Sequence, residues 1–135
     1  MTLRMQLDAY CTAFNERALD RALSLFSPDA VFEMPLLGQR LFGTAEIAVG
    51  LRRMFEVTES ADIAILGAQE SGHAIIAEGG MTAKLCRDSA LVRMPLAITL
   101  TTKDGHIARL STYLDARPYR LWTDGPIFAN SKSHN

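Results

Sequence analysis

Three side chains in this sequence carry chemistry that a small pocket can use. Asp115 ends the run Tyr113-Leu114-Asp115 at the close of the last extended segment, Glu33 stands just before Met34-Pro35, and Tyr10 lies within the first amphipathic segment. A carboxylate beside a dry pocket has its pKa raised toward neutrality and can then shuttle a proton. Two acids in different surroundings divide the donor and acceptor roles, and a phenol hydroxyl can polarise a substrate oxygen. Each residue also has an ordinary role open to it. Asp115 alternates with Arg109 and Ser111, opposite the apolar Leu110 and Leu114. It is therefore either a surface acid that pairs with Arg117 or caps the next turn, or a pocket acid at a twisted strand end. Glu33 is either a solvated strand acid or a pocket acid, since an unpartnered buried carboxylate is costly. Tyr10 is either a core ring with a satisfied hydroxyl or a donor to a ligand.

The remaining polar residues fit structural roles. His73 begins a strand and His106 sits in a turn, both positions that favour solvent, with a pocket rim as the alternative for His73. Arg93 falls on the polar alternation of its strand, which suits a solvated or dimer-face arginine as well as a carboxylate clamp. Arg52-Arg53 reads as a solvated helix face. Met34, Met54, Met81 and Met94 can line an adaptable apolar pocket or simply fill a core, and Trp122 either closes a pocket mouth or anchors its segment. There is no Gly-rich phosphate loop and no metal-ligand spacing among three scattered histidines, so neither metal nor cofactor is implied.

The elements that position these residues follow from hydrophobic period. Leu3, Leu7, Tyr10 and Phe14 predict an amphipathic helix over 3–15 with Tyr10 on its buried stripe. Leu19, Leu23 and Phe26 predict a shorter helix to Phe26, stopped by Ser27-Pro28-Asp29. Ala30 to Pro35 reads as a brief strand. Gly43-Thr44 offers a turn and a capping oxygen for a third helix, with Glu46 near its positive end and Ile47, Leu51, Met54 and Phe55 facing inward. After residue 60 the period falls to 2. Ile63 and Ile65 mark one strand. In residues 73–87, Ile75, Ala77, Met81, Ala83 and Leu85 oppose Glu78, Thr82 and Lys84, with Gly79-Gly80 marking a bulge or bend. Val92 to Thr101 alternate in a third strand whose Pro95 requires an edge or bulge. Lys103-Asp104-Gly105-His106 is a hairpin turn leading to a last strand that ends near Asp115. Three helices followed by an antiparallel meander make a two-layer α+β fold, with the helices on one sheet face.

Length and composition bound the rest. With 135 residues, 48% hydrophobic and 21% charged, the chain supports one core across a single domain, 1–135, with fraying expected after about residue 123. Fourteen basic residues against fifteen acidic ones leave a net charge of −1, which gives nucleic-acid binding no electrostatic basis. No apolar run approaches the ~18 residues of a membrane span, and no secretory leader is evident. Cys11 and Cys86 are isolated and read as reduced thiols of a cytoplasmic protein.

The element order, together with Tyr10 to Phe26, Asp29-Ala30-Val31-Phe32-Glu33-Met34-Pro35 and Gly105-His106-Ile107 through Tyr113-Leu114-Asp115, resembles the nuclear-transport-factor-2-like superfamily. It is most similar to the SnoaL-like polyketide-cyclase and limonene-epoxide-hydrolase branch. The resemblance covers residues 3 to about 122. It implies a cystatin-like cone, a curved and mainly antiparallel sheet wrapped around the three N-terminal helices. It also implies an apolar pocket inside the cone and a homodimer through the outer sheet face. By resemblance, Asp115 matches the proton-moving acid of the Tyr-x-Asp strand end, Glu33 lies where the epoxide hydrolases hold water, and Tyr10 matches the oxygen-polarising tyrosine of the steroid isomerases. The sequence also departs from those enzymes. Met34 and Ala97 stand where steroid isomerases carry acids, and Gly79 and Met81 stand where epoxide hydrolases carry an arginine and an acid. The polyketide-cyclase pattern survives these losses best. The resulting expectation is a cofactor-independent isomerase, cyclase or hydrolase acting on a small, mostly apolar, oxygen-bearing molecule. Asp115, Glu33 and Tyr10 would be its catalytic residues, with Phe14, Met34, Met54, Met81, Tyr113 and Trp122 around the substrate. The alternatives are a non-catalytic ligand-binding or dimerisation module and a protein-interaction module of the same fold.

Overall fold

The computed structural model describes residues 1–122. Their order is α1 (Leu3–Asn15), α2 (Leu19–Leu23), β1 (Phe26–Met34), a 3₁₀ turn (Pro35–Leu37), β2 (Gln39–Phe42), α3 (Gly43–Glu56), β3 (Thr58–Ser71), β4 (Ala74–Leu85), β5 (Leu91–Lys103), β6 (His106–Tyr113) and a second 3₁₀ turn (Arg117–Tyr119). The tail expected to fray lies outside the described residues. The strands form one sheet in the order β2-β1-β6-β5-β4-β3, antiparallel except where β1 runs parallel to β6.

Helix packing shows that this sheet is curled. Helix α3 packs on β1 and β2 and also on β3, although β1 and β3 are separated by three intervening strands. Four strand spacings across a flat sheet would put them about 19 Å apart, whereas a helix with its side chains is only about 10–12 Å wide. The sheet therefore wraps the helices as a cone. Its inner face carries Ile75, Ala77, Met81, Ala83 and Leu85 of β4 and Met94, Leu96, Ile98 and Leu100 of β5, all buried as their alternation predicts.

The bend has a local cause. Strands β4 and β5 pair without interruption from Ala74 to Lys84, so Gly79-Gly80 does not bulge β4 itself. The extra residue lies in β3 between Ile65 and Gly67, opposite Gly79 and Glu78. At Gly79 the β3 backbone comes so close that a Cβ would lie 1.9 Å from the Ala64 carbonyl oxygen. Only glycine permits that approach.

Helix α1 is fastened inside the cone at both ends. The Gln6 side chain donates to the Gly105 carbonyl at 3.2 Å. Asn15 donates to the Ile63 carbonyl (3.0 Å) and accepts from its N–H (2.7 Å), taking the place of a neighbouring strand. Tyr10 is thereby held midway along the inner wall.

Three local expectations change. Helix α2 ends at Leu23, because Phe26 is drawn into the parallel ladder opposite Ile107; Pro28 then falls in the register shift between Phe26 and Val31. Strand β2 was not anticipated; it is short and pairs only with β1. Helix α3 is not capped by Thr44. The Phe42 N–H instead donates to the first-turn Glu46 carboxylate at 3.0 Å, which satisfies the donor at the helix start. Pro95 does lie on an open edge, since β6 pairs with β5 only from Ala97 onward. The Asp104-Gly105 turn has both residues at positive φ, as the hairpin requires. We expect Gly79→Ala to lower folding stability by about 2–3 kcal/mol, read as a lower urea midpoint with little change in slope.

Candidate functional site

The curled sheet separates the three candidate groups. Glu33 points to the outer face, where strand register builds a site around it: Arg40 of β2 and Ser111 of β6 are its direct cross-strand partners. Arg40 Nε donates to its carboxylate at 2.8 Å, Arg109 Nε at 2.6 Å and the Ser111 hydroxyl at 3.1 Å. Glu33 is buried while both arginines remain about half exposed. Burial pushes its pKa up, but hydrogen bonds from Arg109 and Arg40 outweigh that and hold it below the ordinary glutamate value. Glu33 is thus an ionised anchor for two arginines rather than a poised base.

Asp115 lies two residues beyond β6, on the rim of the cone. Its carboxylate accepts from the Arg117 backbone N–H at 3.1 Å and from Arg117 Nε and Nη2 at 2.8 and 3.1 Å. It both caps the 3₁₀ turn and forms a two-point ion pair, and the Arg117 guanidinium holds its carboxyl below the usual range. Asp115 borders a shallow rim groove of about 350 Å³ with Leu36, Met94, Tyr113, Pro118 and Tyr119.

Tyr10 is inside the cone and only 1% exposed. Its ring meets Phe26 edge-on at 6.0 Å and Phe14 at 6.2 Å. Burial pushes the phenol well above its ordinary pKa. It stays protonated at any physiological pH and can only act as a hydrogen-bonding group.

The expected lining residues divide in the same way. Phe14, Met34, Met54, Met81 and Trp122 belong with Tyr10 to one contiguous core, and none is more than 2% exposed. Tyr113 instead points outward, 39% exposed, beside Asp115 on the rim groove. The structure brings the apolar lining together with Tyr10 but places Glu33 and Asp115 elsewhere. The partners that hold the acids are Arg40, Arg109 and Arg117. Arg117 was evident from its nearness to Asp115, whereas the pairing of Arg109 with Glu33 depends on the β1–β6 register. Arg40 becomes visible only once the β1–β2 register is known.

Leu121 and Trp122 reach the interior from the rim. Both are buried, yet among the described residues the indole Nε1 of Trp122 has no hydrogen-bond partner. Arg120 and Trp122 both adopt left-handed backbone conformations, φ 56° and 57°. Such a conformation costs of order 1–3 kcal/mol for a non-glycine residue, and an unpartnered buried donor about 1–3 kcal/mol. Burying an indole returns roughly 4–6 kcal/mol. The opposing terms are therefore comparable in size.

Among the described residues no group of His, Cys, Asp and Glu is placed to hold a metal ion, and no helix is long and apolar enough to cross a membrane. Cys11 is buried, and burial with nearby Asp8 pushes its thiol up to about 12, which makes it a poor nucleophile.

A cone of mostly antiparallel sheet around an N-terminal helix defines the nuclear-transport-factor-2-like class. Within it, residues 7–110 match the SnoaL-like domain, and the chain belongs to that family. Solved structures share the fold. A putative polyketide cyclase from Xanthomonas campestris pv. campestris is 21% identical with TM-score 0.77, covering 87% of this chain and 93% of its own. A hypothetical protein with a ketosteroid isomerase-like fold from Catenulispora acidiphila, in complex with trimethylamine, is 19% identical with TM-score 0.77, covering 83% and 86%. TerC, co-crystallised with polyporic acid, is 21% identical with TM-score 0.75, covering 85% and 92%. No curated protein matches the sequence.

Glu33 supplies a direct test of the outer cluster. Glu33→Gln is expected to cost about 2 kcal/mol at neutral pH, measured by urea unfolding. The folded carboxyl titrates below the ordinary value of 4.5. Its contribution is therefore complete above that value and is lost as the pH falls through the lower folded one, so the gap between parent and variant should narrow in acid.

Proposed function

We propose that this chain binds a small, mostly apolar, oxygen-bearing molecule inside the cone, and that binding rather than acid–base turnover is its principal activity. The observation that carries this reading is the separation of the groups. The interior is mostly apolar, with the protonated Tyr10 phenol and a few neutral polar side chains such as Thr112, while the two candidate carboxylates are each neutralised by arginine outside it. A pocket of this kind recognises shape through apolar walls and orientation through a few polar groups. Phe14, Met34, Met54, Met81 and Trp122 supply the walls, and Tyr10 donates to the ligand oxygen. The small-molecule ligands held by TerC and the Catenulispora protein are consistent with this use of the fold.

The enzymatic alternative assigns proton transfer to Asp115 with Glu33 assisting. It draws on the position of Asp115 at the apolar rim groove and requires a substrate group to replace Arg117 on its carboxylate. The two readings separate on a saturated bicyclic ketone, decalone, and its parent hydrocarbon, decalin. Tyr10→Phe should weaken decalone binding about fivefold, the loss of one hydrogen bond, and leave decalin unchanged by calorimetry, while Asp115→Asn should alter neither. Failure of the parent chain to bind either compound would count against the binding reading. A substrate whose turnover stops in Asp115→Asn would establish the enzymatic one.

We also propose that a second copy of the chain covers the outer sheet face. Leu66 and Ile76 are 85% and 54% exposed there and Tyr113 lies nearby, with Glu78 and Arg93 both exposed on the same face. Apolar groups flanked by both charge signs suit the self-complementary contact of a two-fold dimer. Light scattering should give a dimer for the parent and a monomer for the Leu66→Lys, Ile76→Lys double variant.

A further inference from the structure

We propose that Leu121 and Trp122 form a displaceable plug: they occupy the volume a ligand would take and leave it, hinging at Arg120, when a ligand enters. The inference rests on the binding reading and adds to it where the ligand goes and what it must displace.

Three independent observations converge on this segment. First, its hold on the domain is thin. Among the described residues, the backbone hydrogen bonds of residues 117–121 run back only to residues 115–117, with Arg117 N–H on the Asp115 carboxylate at 3.1 Å, Tyr119 N–H and Leu121 N–H on the Ala116 carbonyl at 3.1 and 3.2 Å and Arg120 N–H on the Arg117 carbonyl at 3.0 Å. Among the described residues, no strand pairs with Leu121 or Trp122, and the one side-chain bond from the turn to another element is a long one, from the Tyr119 hydroxyl to the Arg93 carbonyl at 3.5 Å. Second, the inserted state is internally opposed. Arg120 and Trp122 sit at positive φ without being glycine, and the indole N–H is buried with no acceptor among the described residues, whereas in water it would find one at once. Third, an exit lies beside it. The rim groove walled by Leu36, Met94, Leu114 and Tyr119 borders the same turn, and β5 before Ala97 has no β6 partner to close that edge.

The volume vacated is that of an indole and an isobutyl group. The ligand is accordingly an apolar one- or two-ring molecule whose oxygen can reach Tyr10. Because the plugged form must open first, the apparent affinity is the intrinsic affinity multiplied by the open fraction. Changes at the hinge should therefore tune binding without touching the interior.

Trp122 is the only tryptophan in the chain, so its emission reports the plug alone. Decalone titrated into the parent protein should raise acrylamide quenching of that emission several-fold at saturation. Arg120→Val, an exposed β-branched substitution disfavoured at φ 56°, should bind decalone about fivefold more tightly by calorimetry. Cooperative melting confirms that this variant is folded. If decalone binds the parent while Trp122 stays equally shielded and Arg120→Val gains no affinity, the plug inference is overturned and the binding reading stands. If the parent, Arg120→Val and Trp122→Ala, the last freeing the volume outright, all fail to bind while melting cooperatively, the binding reading fails and the plug inference with it.

Discussion

The architecture depends on a close approach of two backbones at Gly79. Six strands can surround a helix only if the sheet bends sharply, and the bend needs β3 to carry an extra residue where β4 carries no side chain. With the Ala64 carbonyl occupying the space a Cβ would take, the glycine is a steric requirement of the curl. The curl in turn lets α3 pack against both ends of the sheet order, and it turns the inner residues of β4 and β5 toward Tyr10, Phe14 and Met54 on the helices. A flatter sheet would leave those residues on an open face.

The same curvature sorts charge from apolar surface. Strand alternation sends Glu33, Arg109 and Ser111 to the convex side, where Glu33 can be desolvated only because two arginines and a hydroxyl meet it there. On the concave side the phenol of Tyr10 is stable because it is neutral. An ionised carboxylate among those methionines and aromatic rings would lack the partners that Glu33 has outside. The interior is thus built for shape and for one or two hydrogen bonds, which is why the binding reading follows from the geometry more directly than proton transfer does.

Much of this was legible along the chain. The 3.6-residue stripe of Leu7, Tyr10 and Phe14, the period-2 alternation of Ile75 to Leu85 and Met94 to Leu100, and the Asp104-Gly105 turn each encode local geometry in residue type, so the α+β class and the inner faces could be read directly. The ordinary role of Asp115 was also local, since Arg117 is two residues away. Strand β2 and the early end of α2 were not legible, because a pairing partner far off in sequence overrides a weak local preference: β1 for the short β2, and Ile107 for Phe26. The site was harder still. Glu33 meets Arg109 across 76 positions, and whether a carboxylate beside a predicted strand is solvated or clamped depends on a register that no periodicity contains.

What the sequence by itself determined is the alternation of each element, and hence which residues share a face; side-chain direction follows from backbone period within a few residues. Only the tertiary structure decided that the sheet curls through a β3 bulge opposite Gly79, that the two acids lie outside the apolar interior, and that Leu121 and Trp122 are buried in the common core. Those outcomes are set by contacts between segments far apart in the chain, where packing and charge pairing outweigh any local preference.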